Sequence, residues 1–265
     1  MNHLLMKKRA FMAIANQIKG IKATKTGTFP VTLPGCVDND CTVGYKIYGN
    51  TDGVGDLSDG KYNIPIVTRG KNVFDITKCN DYKSEYGGIY FSASLPRGGL
   101  RQGKVSDVTN MEAGKTYVIT ADTTSSSGNF VYLNGSEKVW RWGQTYTPTE
   151  NDIAGKIYFY KATNDTDPEV TQEVIITNVQ IEEAAAATEY EPYHAPVTTT
   201  ISLPAPLSAG EYISYTAQAI IHADDTKTSA SLPKIPTYKG TTVLECNTEN
   251  APASAEITYY TNEEE

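Results

Sequence analysis

The sequence predicts an all-β protein: a jelly-roll β-sandwich with a short N-terminal helix and a small C-terminal β unit. Three observations lead there. Beyond Ile21 the apolar residues leave helical spacing and fall into short alternating runs separated by Gly, Pro, Asn and Asp. Gly (21) and Pro (13) punctuate the chain densely. Tyr contributes 18 aromatic residues against 6 Phe and 2 Trp, the balance of a turn-rich β protein. At 265 residues the chain holds either one large sandwich with appendages or two small domains.

The elements follow in order. Over 1–21, Leu4, Phe11, Ile14, Ile18 and Ile21 recur at three-to-four spacing and form one stripe, with Gly20 where a helix frays. A single stripe needs a partner, either the body of the chain or the same helix of neighbouring subunits. Lys7-Lys-Arg9 precedes an apolar run, Ala10 to Ala15, too short for a signal-peptide core. No run approaches the length of a membrane span, so no membrane insertion is expected.

Residues 22–71 form an N-terminal β segment with strands at Thr28–Leu33 and Val43–Tyr48. Between Gly49 and Gly60, Asp52, Asp56 and Asp59 do not follow the order of an EF-hand, which predicts Asx turns instead. Residues 72–183 form the jelly roll, with strands at Gly87–Ser94, Glu112–Asp122, Asn129–Leu133, Lys138–Trp142, Gly155–Tyr160 and Glu173–Glu182. Asn134-Gly135 is a hairpin signal between the third and fourth of these. In Asn164-Asp-Thr-Asp-Pro-Glu169 the clustered oxygen ligands read as turn chemistry rather than a calcium site. Residues 184–198, with Pro192 and Pro196, form a linker. Residues 199–265 form a C-terminal β domain, with strands at Thr199–Leu203, Glu211–Tyr215, Thr241–Cys246 and Ser254–Tyr260 and a solvated acidic tail.

Composition then narrows function. With 23 basic and 31 acidic residues the formal charge is -8, which opposes binding to the phosphate backbone, so no nucleic-acid partner is expected. The acidic, Tyr-rich chain suits neutral sugars, whose C–H faces stack on aromatic rings. Cys36 and Cys41 would suit a local disulfide or half of a zinc site, but His3, His194 and His222 lack ligand spacing; free thiols, no metal and no cofactor are expected. No nucleophile elbow, zinc-protease helix, phosphate-cradling loop or Cys-His pair is present, so the chain reads as a non-enzyme.

For ligand contact, Trp140 and Trp142 lie two apart and share one face of a strand, with Tyr132 and Tyr146 nearby and Arg141 as a polar rim. Two placements stay open. Either the indoles form an outward platform, or they pack into the core while Arg141 faces water.

Two resemblances complete the reading. The basic-apolar start, Tyr45-Lys-Ile-Tyr-Gly-Asn50, Arg69-Gly-Lys-Asn-Val-Phe-Asp75, Ile181-Glu-Glu183 with Thr188-Glu-Tyr-Glu-Pro-Tyr193, and the run from Leu232 to Tyr260 resemble, in that order, tail-associated minor structural proteins of phages and prophages of low-GC Gram-positive bacteria. The stretch 208–231 is shorter here than is common in that family. Ala113 to Asp122 and Val174 to Glu183 resemble the early and final strands of carbohydrate-binding-module jelly rolls. The resemblance implies a virion structural protein assembled in the host cytoplasm: a tail-tip, baseplate or fibre component contacting other virion proteins, forming a homo-oligomer (a trimer), and adhering to host cell-surface glycans for host attachment. The alternatives are a purely structural capsid decoration or head-fibre protein, and an accessory carbohydrate-binding module of a glycan-degrading system.

Overall fold

The computed structural model describes residues 20–39, 41–93, 97–124, 130–162 and 172–262. The expected helix over 1–21 lies outside these residues, except that Gly20 is a bend and Ile21 opens a strand. The turn-like cluster at 164–169 and the acidic tail also lie outside them.

The chain is all-β, in two compact units: residues 1–70 with 196–265, and residues 71–195. In the first unit, one antiparallel sheet takes in β1 (Ile21–Gly27), β2 (Val31–Cys36), β3 (Thr42–Tyr48), β4 (Asp56–Ser58), β5 (Lys61–Gly70), β15 (Val197–Leu203), β16 (Tyr212–Ser214), β17 (Ala219–Ile221), β18 (Lys227–Ser229), β19 (Gly240–Cys246) and β20 (Ser254–Thr261). Its strand order is β15-β5-β19-β2-β20-β3-β16-β17-β18, with β1 on β20 and β4 on β5. Period-two alternation decides which face turns inward. On β20, Ala255, Ile257, Tyr259 and Thr261 are buried while the residues between them are half-buried. They join Leu33, Ile47, Ile64, Ile66, Ile201, Leu203, Ile213 and Leu244 in one core.

This pairing corrects the expected division. Residues 22–71 and 199–265 are not a separate segment and a separate C-terminal domain: β19 lies between β2 and β5, and β20 between β1 and β3. Each half alone would leave strand edges with unpaired backbone groups, and interleaving pairs them.

The second unit is a sandwich. One sheet runs β11-β10-β13-β8, from β8 (Arg97–Lys104), β10 (Phe130–Leu133), β11 (Lys138–Arg141) and β13 (Lys156–Ala162). The other runs β12-β9-β14-β7-β6, from β6 (Tyr82–Lys83), β7 (Gly88–Ala93), β9 (Tyr117–Thr123), β12 (Thr145–Tyr146) and β14 (Gln172–Glu182). Two short helices, α1 (Val105–Val108) and α2 (Glu150–Ala154), pack against each other beside β8. Phe74, Ile89, Tyr117, Ile119, Leu133, Trp140, Ile157, Phe159, Ile176 and Ile181 form the core between the sheets.

The stretch expected as a linker packs on this unit instead. Lys71 Nζ donates to Thr188 Oγ1 at 2.8 Å and pairs with Glu191 at 2.9 Å, and buried Glu182 accepts from both Thr188 N–H and Thr188 Oγ1. The entry and exit of the second unit are thereby clasped together.

Candidate ligand-binding face

The predicted hairpin at Asn134-Gly135 forms, with Leu133 opposite Lys138. Its positive φ falls on Glu137 rather than on Gly135. Gly135 serves a different need: a Cβ there would stand 1.9 Å from the Asn151 carbonyl oxygen, so only glycine lets the turn approach α2 this closely.

The hairpin sets the faces of β10, β11 and β13. Val131, Leu133, Trp140, Ile157 and Phe159 alternate inward, none more than 1% exposed. The Trp140 and Trp142 platform is therefore corrected. Trp140 is a core residue whose Nε1 donates to the Gln144 carbonyl at 2.8 Å, and Trp142 packs half-buried against the same core. Tyr146 stays inside as well, its ring 5.8 Å from that of Trp140 and its hydroxyl donating to Asp152 at 2.8 Å. The apolar sheet interior takes the Trp140 indole because an indole needs only one acceptor to be satisfied when buried, whereas Trp142 Nε1 is buried without one.

Arg141 and Tyr132 fall on the opposite, outward face, and with them come aromatics that the sequence analysis did not single out. Phe130 pairs with Tyr160 on β13 and with Arg141 on β11; Tyr132 pairs with Tyr158 and with Val139. Phe130 and Tyr160 stack with centroids 5.3 Å apart and planes at 12°. Tyr132 meets Tyr158 and Tyr160 edge-on, each at 6.1 Å. The Arg141 guanidinium carbon lies 5.8 Å from the Phe130 ring centre. Val139 is 42% exposed, and all four rings are half-buried, so their upper surfaces meet water. Partial loss of water, followed by the nearby Glu137 and the neighbouring phenols, pushes the Tyr132 hydroxyl up, which keeps it a proton donor at neutral pH.

The result is a contiguous aromatic surface with three phenol hydroxyls and one guanidinium. It can stack on flat C–H faces and hydrogen-bond to hydroxyls or ring oxygens at the edge. The signal was present in Lys156-Ile-Tyr-Phe-Tyr160: alternation that sends Ile157 and Phe159 inward must send Tyr158 and Tyr160 outward.

No protein family, curated protein or solved structure matches the chain.

A second constellation lies in the first unit. His222 stands 2.7 Å from Glu211 Oε1 through Nδ1 and 2.8 Å from Thr228 Oγ1 through Nε2, the line of a hydroxyl, a base and a carboxylate. Thr228 lies on β18, exposed at every position, without the water exclusion that would favour an activated nucleophile. The arrangement works as a cross-strand ladder, with Glu211 also accepting from Ser208 N–H at 2.9 Å. In the 49–60 loop, Asn50 Oδ1 accepts from Asp52 N–H at 2.9 Å, an Asx turn. Among the described residues, no three His, Cys, Asp or Glu side chains group as a metal site, and no helix is long and apolar enough to cross a membrane.

Proposed function

We propose that this chain is a non-enzymatic virion component of a phage of low-GC Gram-positive bacteria, a tail-tip, baseplate or fibre part that adheres to host-surface glycans through the outer face of β10, β11 and β13. The observation that carries the reading is the aromatic surface of Phe130, Tyr132, Tyr158 and Tyr160 with Arg141 beside it. Cross-strand pairing alone does not require four half-exposed rings on one face, and their shape suits pyranose stacking. The segment order that resembles tail-associated proteins supplies the virion context. In this reading the chain assembles with other virion proteins and with its own copies, as a trimer, and repetition multiplies weak single-site affinity by about a hundredfold or more.

The test is retention of the purified chain on immobilised host cell-wall polysaccharide and on a glycan array. Tyr158→Ala and Tyr160→Ala are expected to abolish retention while the protein stays folded by circular dichroism. Retention unchanged in both variants, or no retention of the parent chain on any glycan, overturns the adhesin reading and leaves a purely structural virion part.

A further inference from the structure

The connection between β2 and β3 holds two cysteines for which glycan adhesion has no use. Cys36 ends β2 and Cys41 stands directly before β3; both are buried in the core of the first unit, 1% and 7% exposed, and neither is in a disulfide. The backbone brings them together beside β20: Cys36 lies opposite Thr261, and Val37 N–H and the Cys41 carbonyl both bond to Tyr260. Around them, Thr237 Oγ1 donates to Cys41 Sγ at 3.3 Å and accepts from the Cys41 N–H at 2.6 Å, and Cys36 Sγ lies 3.7 Å from the Leu33 carbonyl oxygen.

The two sulfurs are chemically unlike. The neighbouring Cys36 thiol, followed by Thr237 and backbone N–H groups, holds the Cys41 thiol down to about 6 against the opposing effect of burial. The same contact, with burial, pushes Cys36 up. Cys246, in contrast, is pushed up to about 11 by burial. A thiolate beside a protonated neighbour is the pairing of an attacking and a resolving cysteine.

We propose that Cys36 and Cys41 are a redox-closable pair, converted by a hydroperoxide into an intramolecular disulfide that ties the end of β2 to the start of β3. The Cys41 thiolate attacks one oxygen of hydrogen peroxide, the O–O bond breaks, and hydroxide leaves, so that Cys41 becomes a sulfenic acid. The Cys36 sulfur then attacks the Cys41 sulfur; the S–S bond forms, the S–O bond breaks, and the Cys36 proton departs with the hydroxyl as water. Two thiols and one peroxide give one disulfide and two waters, the sulfurs losing the two electrons that the peroxide gains.

The bond would close a socket around the last strand. Val37 N–H donates to the Tyr260 carbonyl, Tyr260 N–H to the Cys41 carbonyl and Asn262 N–H to the Gly35 carbonyl, so β20 is held from both flanks of this connection. Fixing the flanks restrains the strand that carries β1 along one edge and β3 along the other.

The experiment treats the full chain with hydrogen peroxide, then denatures, alkylates and digests it with trypsin. Cys36 and Cys41 share the peptide from Thr26 to Lys46, apart from Cys79 and Cys246. Closure is expected to appear as this peptide lacking two hydrogens and taking no alkyl group, reversed by reductant, with several-fold slower hydrogen exchange at Tyr260 and Asn262. In Cys36→Ser, dimedone is expected to trap a Cys41 sulfenic acid. The proposal is overturned if both cysteines of the parent chain remain alkylated at peroxide doses that oxidise Cys246, or if the parent chain accumulates trapped Cys41 sulfenic acid in place of the disulfide.

Discussion

Thr68 and Val197 face each other across one antiparallel ladder, β5 against β15, although the whole second unit lies between them in sequence. The second unit is an insertion at a hairpin end. Lys71 and Asn72 at its entry bond to the stretch from Val179 to Glu191 at its exit, so its ends are closed by its own contacts. Replacing residues 71–195 by an Asn-Gly turn between Gly70 and Pro196 is therefore expected to leave a folded first unit. A β-type circular dichroism spectrum with a cooperative thermal transition is the expected result; a disordered spectrum would show that the first unit depends on the second.

Both tryptophans of the chain, Trp140 and Trp142, lie in the second unit, so indole fluorescence reports on that unit alone. Trp140→Ala removes a fully buried indole and leaves Gln144 without its donor. A loss of about 3–5 kcal/mol in urea unfolding, followed through Trp142, is expected. Tyr160→Ala on the outward face is expected to cost only about 1 kcal/mol, the scale of a cross-strand pair. Equal losses in the two variants would contradict the assignment of faces.

The strands were legible in the sequence wherever alternation was strong, as in β14 and β20. β8 was not, because Arg97-Gly-Gly-Leu-Arg-Gln-Gly-Lys104 is rich in glycine and charge and poor in the branched residues that mark strands. The interleaving of β19 and β20 with β2, β3 and β5 was hidden for a different reason: local pattern shows which face of a strand is apolar, not which distant strand covers it. The same limit governed the site. Period two placed Trp140 and Trp142 on one face, but which face turned inward depended on Val131 and Phe159 in neighbouring strands.

Asp152 is fully buried and closes the capping box of α2, accepting from Thr149 N–H at 2.9 Å and from Thr149 Oγ1 and Tyr146 Oη at 2.8 Å, with Ser136 Oγ as a further donor. Burial pushes this carboxyl up, but the donors from Ser136, Thr149 and Tyr146 outweigh it and hold it below its ordinary value of 3.8. A depressed folded value means that the stabilisation is complete above the unfolded value and disappears as pH falls through the folded one. Fluorescence-monitored stability is expected to decline between about pH 5 and pH 2, and to decline less steeply in Asp152→Asn. At neutral pH, Asp152→Ala is expected to cost about 1–2 kcal/mol, since it removes the capping box and the acceptor shared by the Ser136, Tyr146 and Thr149 hydroxyls. A variant with the pH profile of the parent would show that Asp152 does not carry the acid sensitivity.

Asn72 is 2% exposed and uses its amide completely. Its Nδ2 donates to the carbonyls of Val179 at 3.0 Å and Glu191 at 3.1 Å, while its Oδ1 accepts from Phe74 N–H at 3.0 Å and Ile181 N–H at 3.2 Å. Asn72→Leu keeps the size and removes all four bonds, and a loss of about 2–4 kcal/mol is expected. Asn72→Asp keeps the acceptor but turns a carboxylate toward two carbonyl oxygens, so a loss of about 3 kcal/mol or more is expected at pH 7. The two variants separate by pH. Facing carbonyls and burial raise the introduced carboxyl, so its penalty applies above that raised value and shrinks as pH falls and protonation restores one donor. Measured against the parent chain at each pH, Asn72→Asp is expected to recover part of its loss on acidification while Asn72→Leu does not. Parallel losses across pH would mean that the donor half of the amide contributes nothing to closing the unit.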